Sequence, residues 1–157
     1  MSDRAEMEPG IDHVNVVVAD IAVSTAFYCR LLDLTVIMDR WLEGRWFEAL
    51  TGIPGARAHC IILDRPQGGC RVELLAFDNA QTAARSTPRT LGLRHFAIRV
   101  PDLDSCLARL PAPPAIVEVP REIVPVGKRM VYVTDPDGAI IELAEYGGPP
   151  TFTFGGC

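Results

Sequence analysis

The stretch IDHVNVVVADI at residues 11–21 recurs later in the chain as LRHFAIRVPDL at residues 93–103. Histidine aligns with histidine, the later aspartate aligns with aspartate, and apolar positions align with apolar positions. A shorter pair follows in each half, with VEL at residues 72–74 and IEL at residues 141–143. An internal repeat of this kind predicts two copies of one supersecondary unit.

Each copy is predicted to contain one strand, one helix and three further strands. The segment after each histidine alternates apolar with other side chains, as a strand with one buried face does. Asp20 and Asp102 stand where helix N-caps are expected, and DPDG at residues 135–138 is a turn signal. The predicted fold class is α+β, with two βαβββ modules that form a cupped mixed β-sheet and helices on its outer face. The expected division is an N-terminal tail at residues 1–10, modules at 11–78 and 93–146, a linker at 79–92 and a C-terminal tail at 147–157.

The repeat predicts a metal site inside the cup. Side chains alternate between the two faces of a strand, so an apolar face packed under the helices turns His13, Glu73, His95 and Glu142 to the other face. A single strand histidine is more often structural, but four such residues at equivalent places in two repeats are hard to explain that way. Two imidazoles and two carboxylates suit a divalent cation of borderline hardness, and Zn, Ni, Co, Mn and Fe all stay open.

The same alternation turns further side chains toward the cup. Arg99, Arg71, Asn15 and Phe77 are therefore candidates for substrate binding. A guanidinium beside a metal suits a carboxylate, phosphate or enolate oxygen, although an ion pair with a ligand glutamate would explain Arg99 equally well.

Trp46 and Trp41 lie in a segment that could cover the pocket and stack on a substrate. Packing of the sheet edge is the equal alternative for both. His59 has no partner in the repeat, and we expect it to be a core residue more than a substrate contact.

Composition limits the partners and the compartment. Hydrophobic residues make up 48% of the 157 residues, which excludes a disordered chain, and no apolar run reaches the ~18–20 residues of a membrane helix. Residues 1–10 do not read as a signal peptide. A net charge of -5 argues against a nucleic-acid partner.

Five cysteines without a CxxC pair indicate buried thiols in a reducing, cytoplasmic compartment. The expected partner is a small-molecule substrate, with neither nucleic acid nor membrane. The only lysine, Lys128, carries no sign of Schiff-base chemistry.

These motifs resemble the vicinal oxygen chelate superfamily, which includes glyoxalase I, methylmalonyl-CoA epimerase, fosfomycin-resistance proteins, bleomycin-binding proteins and extradiol dioxygenases. The resemblance covers residues 11–146 and is carried by DH at 12–13, VEL at 72–74, LRHFAI at 93–98 and DPDG with IEL at 135–143. It implies that the two histidines and two glutamates above are the metal ligands, as in glyoxalase I. The epimerases carry Gln where this chain has Glu73, and the dioxygenases and fosfomycin-resistance proteins typically lack a ligand there.

The resemblance therefore implies a metal-dependent isomerase or lyase of the glyoxalase I and epimerase type, acting through a metal-stabilised enediolate with Glu142 or Glu73 as base. Val17 stands where glyoxalase I tends to carry an arginine for glutathione, and the acidic base of epimerases is absent near residues 53–55. The alternatives are an Fe(II)-dependent ring-cleaving dioxygenase, with Glu73 as a spectator, and a metal-free protein that binds an antibiotic or another small molecule. The resemblance also implies a homodimer, and the sequence slightly favours a metal site within one chain.

Overall fold

The computed structural model describes residues 10–66, 68–81, 87–110, 116–118 and 128–147. These residues form eight strands and three helices. The first half contains β1 (His13–Val17), α1 (Ile21–Leu32), β2 (Thr35–Leu42), α2 (Arg45–Thr51), β3 (Ala58–Asp64) and β4 (Arg71–Phe77). The second half contains β5 (His95–Arg99), α3 (Leu103–Ala108), β6 (Ile116–Glu118), β7 (Lys128–Thr134) and β8 (Ile140–Tyr146).

Each half builds one four-stranded sheet, and the two sheets have the same topology. Their strand orders are β1-β4-β3-β2 and β5-β8-β7-β6. The first strand runs parallel to the last in each half, and the other neighbours are antiparallel. The α+β fold with mixed sheets is thereby confirmed. Most of the N-terminal tail, most of the C-terminal tail and the middle of the predicted linker lie outside the described residues.

The two predicted N-caps begin the outer helices. The Asp20 carboxylate accepts hydrogen bonds from the backbone amides of Ala22 and Val23, and α1 ends at Asp33 in the left-handed conformation, with φ 55°. The Asp102 carboxylate accepts from the amide of Ser105 at the start of α3. Both carboxylates satisfy amides that have no partner inside the helix, which fixes where the helices begin.

The main core lies on the helix-covered faces of both sheets. Tyr28 and Leu31 of α1 pack in one cluster with Leu74 of β4 and with Ile141 and Leu143 of β8. These side chains are completely buried. The strand alternation predicted from the sequence is therefore confirmed, and the cup face of each sheet is the side opposite this shared core.

The turn between β7 and β8 ties the two halves together. The buried Asp135 carboxylate accepts a hydrogen bond from the Tyr28 hydroxyl at 2.9 Å and further bonds from the amides of Asp137 and Ala139. The Asp137 carboxylate accepts from the Ala19 amide just before α1. Burial raises the pKa of the Asp135 carboxyl, against the opposing effect of the hydrogen bonds from Ala139 and Tyr28.

Helix α2 is an element that the predicted βαβββ order does not contain. It begins after Gly44 and ends at Gly52, both at positive φ (87° and 69°), a conformation that glycine adopts readily. Phe47, 2% exposed, packs in a second cluster with Leu75 and Phe77 of β4. Helix α2 thus covers part of the cup face of the first sheet, with an apolar contact. Among the described residues, no helix has the length and apolarity that crossing a membrane requires.

Candidate metal centre

The cup face of each half carries one histidine beside one glutamate. His13 Nε2 lies 3.4 Å from Glu73 Oε2, and His95 Nε2 lies 3.3 Å from Glu142 Oε2. The parallel pairing of first and last strands produces both contacts, because Asn15 is in register with Glu73 and Ala97 with Glu142. The sequence repeat is therefore also a repeat of side-chain geometry.

The donor atoms of each pair fit one divalent cation. Two donors that each bind an ion at about 2.1 Å lie roughly 3.0–3.4 Å apart at octahedral or tetrahedral angles. Both His–Glu distances lie within this range. Imidazole nitrogen with carboxylate oxygen is a common ligand set for the first-row divalent metals. The residues present therefore fit a metal ion.

The two pairs remain separate in the single chain. All four side chains belong to the described residues, and those residues form no group of three or more His, Cys, Asp or Glu side chains that could hold a metal ion. The core shared by the two halves lies on the opposite, helix-covered faces of the sheets. The in-chain site that the sequence favoured is thus not formed in this structure.

Neutral donors and a second carboxylate surround the first pair. Asn15 Nδ2 donates to Glu73 Oε2 at 3.0 Å, and Cys60 Sγ donates to Glu73 Oε1 at 3.6 Å. Burial and then the charge of Glu73 raise the pKa of the Cys60 thiol to about 12, so the thiol keeps its proton as a donor. Asp12 Oδ2 lies 2.9 Å from His13 Nδ1, and the hydrogen bond with His13 and the charge of Arg71 lower the pKa of Asp12. A carboxylate on the second ring nitrogen orients a histidine ligand.

A cation and an aromatic ring surround the second pair. The Lys128 ammonium donates to Glu142 Oε1, and the Lys128 nitrogen lies 5.6 Å from the centre of the Tyr146 ring. Burial disfavours the charge on Lys128, but the hydrogen bond and charge of Glu142 outweigh it and raise the pKa of the ammonium. The Tyr132 ring lies 5.1 Å from the His95 ring, centre to centre. Glu142 is the more enclosed glutamate, with a side chain 8% exposed against 17% for Glu73.

The remaining predicted site residues fall into different environments. Arg71 is held between two carboxylates, Asp12 at 3.1 Å and Asp64 at 3.3 Å. Asn15 donates a hydrogen bond to Glu73, as described above. Phe77 stacks on Phe47 at 5.8 Å inside the second apolar cluster.

Arg99 and Trp46 are the predicted substrate contacts that stay accessible. Arg99 extends the cup-face row of β5 beyond His95 and Ala97, and it is exposed. It has no hydrogen bond or ion pair within the described part of the chain. Trp46 is 57% exposed on α2, beside the buried Phe47.

Trp41 and His59 lie on the helix side of the first sheet, away from the cup. They are in register with each other, and His59 is in register with Ala76, which shares a face with Leu74. The two rings stack at 4.9 Å, and the Arg57 guanidinium lies 3.7 Å from the centre of the Trp41 ring. His59 Nε2 also lies 2.6 Å from Asp39 Oδ1. Of the two alternatives for Trp41, packing at the sheet edge is the one that this structure forms.

The sequence interpretation missed Lys128 and Tyr132 as neighbours of the site. Tyr132 is in register with Glu142, and Lys128 lies on the same face of β7 four residues earlier. Strand alternation could have placed Lys128 and Tyr132 on the cup face, but only if the register of β7 against β8 had been known.

Comparison with known families supports the same assignment of fold. The sequence model of the Glyoxalase/Bleomycin resistance protein/Dioxygenase superfamily matches residues 10–143. The chain belongs to this superfamily. It is 30% identical to the uncharacterized protein YaeR of Escherichia coli over 135 residues, which are 86% of this chain and 95% of that protein.

Solved structures of the superfamily share this fold. A glyoxalase family protein from Bacillus cereus superposes with a TM-score of 0.74 at 27% identity, covering 92% of this chain and 99% of that one. The fosfomycin resistance protein FosX from Listeria monocytogenes superposes with a TM-score of 0.57 at 20% identity, covering 87% of this chain and 93% of that one, and this likeness extends to the fold alone.

Proposed function

We propose that this superfamily member is a metal-dependent isomerase or lyase whose four ligands are His13, Glu73, His95 and Glu142. The observation that carries the proposal is the occurrence of the same His–Glu contact, at 3.4 and 3.3 Å, in equivalent places of both halves. One such pair has an ordinary structural explanation as an ion pair or hydrogen bond. Two equivalent pairs, on cup faces that are otherwise partly apolar, favour a metal ion that both pairs bind.

The two pairs are proposed to meet across a homodimer. Strands β1 and β5 are edge strands, each paired on one side only among the described residues. Exposed apolar side chains accompany both edges: Val17 is 50% exposed on β1, and Leu91 and Leu93, which precede β5, are 95% and 75% exposed. Free edges with apolar neighbours are typical of surfaces that pair with another chain. Placing β1 of one copy beside β5 of the other would bring a pair from each copy into one cup, twice per dimer.

The residues of this composite site have separate roles in the proposal. A divalent cation bound there supplies Lewis-acid stabilisation of the negative charge that develops when a proton leaves a carbon next to two substrate oxygens. Glu142 or Glu73 accepts that proton and returns it, since both carboxylates lie on the cup face. Phe47 and Phe77 keep part of the first half apolar and exclude water from it. Removing water strengthens every electrostatic contact inside the cup.

A reducing, cytoplasmic location is part of the same proposal. Cys29, Cys60, Cys70 and Cys106 are free, and none of them forms a disulfide among the described residues. A catalyst with several unpaired thiols suits a compartment that keeps thiols reduced.

Metal analysis of the purified chain tests the proposed function. After exposure to Ni, Co, Zn or Mn and desalting, we expect one metal per composite site and a raised melting temperature with the metal that binds best. A screen with hemithioacetals, CoA thioesters, 2-oxo acids and catechols then assigns the substrate class. Turnover is expected to fall by at least about 100-fold in Glu142→Gln, the typical contribution of a general base, and to persist in the exposed control Glu43→Gln. A chain that binds none of these metals would refute the proposal.

A further inference from the structure

Lys128 is a partly buried cation whose ionic contact, among the residues that the structure describes, is with a proposed metal ligand. Its ammonium pairs with Glu142 Oε1, and its side chain is 16% exposed. Tyr146 also lies near Lys128 and contributes an aromatic ring at 5.6 Å. Weakening the counter-charge of a partly buried ammonium is costly unless another anion compensates for it.

A divalent cation at the proposed site would weaken the ion pair between Glu142 and Lys128. Glu142 pairs with Lys128 through Oε1, and its other oxygen, Oε2, is the one that lies beside His95. A metal bound by His95 and Glu142 would attract the same carboxylate and repel the ammonium, because both are positive. Glu142 would then compensate the charge of Lys128 less fully than it does in the present ion pair. An anionic group on the substrate would satisfy Lys128.

The surroundings of Lys128 distinguish the two halves of the cup. On β7 the cup face carries Lys128, Met130 and Tyr132, whereas the equivalent positions of β3 are Ala58, Cys60 and Ile62. Ala58 and Cys60 lie with Phe47 in the second apolar cluster. Arg99 adds a second cation to the cup face of the charged half.

We propose that Lys128 binds an oxyanion, a carboxylate or phosphate, on the substrate that the metal site takes. This inference rests on the proposed function. It narrows the substrate to a molecule that carries an anionic group and, in addition, two neighbouring oxygens for the metal. Arg99 assists from β5, which lies on the other side of β8 from the strand that carries Lys128. Because Lys128, His95 and Glu142 all belong to one half of the chain, the anion site does not depend on how the two halves meet.

Hydroxamates test the anion site without turnover, because they offer two neighbouring oxygens to a metal. The probes are butyrohydroxamate and succinic acid monohydroxamate, which have the same chain length and differ by a terminal carboxylate. A third probe with a terminal phosphonate separates a carboxylate site from a phosphate site. Calorimetry on the Ni-loaded protein should show one of the charged probes binding at least about tenfold more tightly than butyrohydroxamate, the usual effect of a charge-assisted hydrogen bond.

The variants Lys128→Met and Lys128→Arg locate this preference. Lys128→Met should lose the preference for the charged probes and bind butyrohydroxamate as the natural chain does. Lys128→Arg should keep most of the preference for the charged probes. Lys128→Met should also bind Ni²⁺ at least as tightly as the natural chain, because no ammonium then competes for Glu142.

Four results would overturn the inference, and the last of them would also overturn the proposed function. Equal binding of all three probes by the natural chain, or an unchanged preference in Lys128→Met, refutes the anion site and leaves the metal site in place. A loss of Ni²⁺ affinity of about tenfold or more in Lys128→Met would show that Lys128 positions Glu142 instead. If the natural chain takes up no metal, the proposed function fails, and the anion site fails with it.

Discussion

The three histidines of the chain provide a matched test of the ligand assignment. His13 and His95 each contact a glutamate on a cup face, whereas His59 contacts Asp39 on the helix side of the first sheet. We expect His95→Ala to weaken metal binding by at least about 100-fold, since loss of an outer partner alone costs about 10–100-fold. His59→Ala should bind metal as the natural chain does. Equal effects of the two substitutions, measured by competition with a chromophoric chelator, would contradict the assignment.

Tyr28 and Asp135 form the buried polar contact that joins the halves. Tyr28→Phe leaves a buried carboxylate oxygen without its donor, so we expect the free energy of unfolding to fall by about 1–3 kcal/mol. Urea unfolding at neutral pH measures this change. A difference below about 0.5 kcal/mol would show that the hydrogen bond at 2.9 Å adds no stability.

The raised pKa of Asp135 gives this contact a pH signature. Because the folded state holds the Asp135 proton more tightly than the unfolded chain does, Asp135 lowers stability as pH rises from the ordinary carboxyl value of 3.8 through the raised pKa. Asp135→Asn cannot titrate and keeps an acceptor for the two turn amides. We expect the stability of the natural chain relative to Asp135→Asn to fall across that range. A pH-independent difference would contradict a raised pKa of Asp135 in the folded state.

At the scale of elements, α2 is the part of the fold whose packing is most open to test. Phe47→Ala removes a ring that is 2% exposed and should destabilise the chain by about 3–5 kcal/mol. Its neighbour Trp46 is 57% exposed, so Trp46→Ala should change stability by less than about 1 kcal/mol. Thermal and urea unfolding of both variants check this contrast. Similar losses for the two would mean that α2 does not pack as described.

The sequence predicts some elements well because their signals are local. The alternation after His13 and the caps at Asp20 and Asp102 predict β1, α1 and α3 to within one residue of their starts, since burial and capping act over a few residues. Helix α2 escaped prediction because it has seven residues and its only buried side chain is Phe47, whose contacts come from distant strands. Likewise, Lys128 reaches Glu142 only through the pairing of β7 with β8.

At the scale of the whole molecule, the edge strand β1 should control assembly. Val17 on β1 and Val23 on α1 are similarly accessible, at 50% and 52%. We expect Val17→Asp to produce a monomer with weakened metal binding, because a charge at the proposed interface would be buried without a partner. Val23→Asp should remain a metal-binding dimer. Light scattering and metal titration together check both variants, and a Val17→Asp dimer with full metal affinity would contradict the proposed interface.

The central claim is that two chains share each metal site, and mixing of inactive variants tests it most directly. His13→Ala breaks the first half and Glu142→Ala breaks the second, so neither homodimer should bind metal tightly. If sites form across the dimer, a mixed dimer joins the intact first half of one variant to the intact second half of the other and regains one site of natural affinity. Metal content and affinity of the mixed dimer, purified by two different tags, give the answer. No recovery in a mixed dimer that has formed would contradict the account.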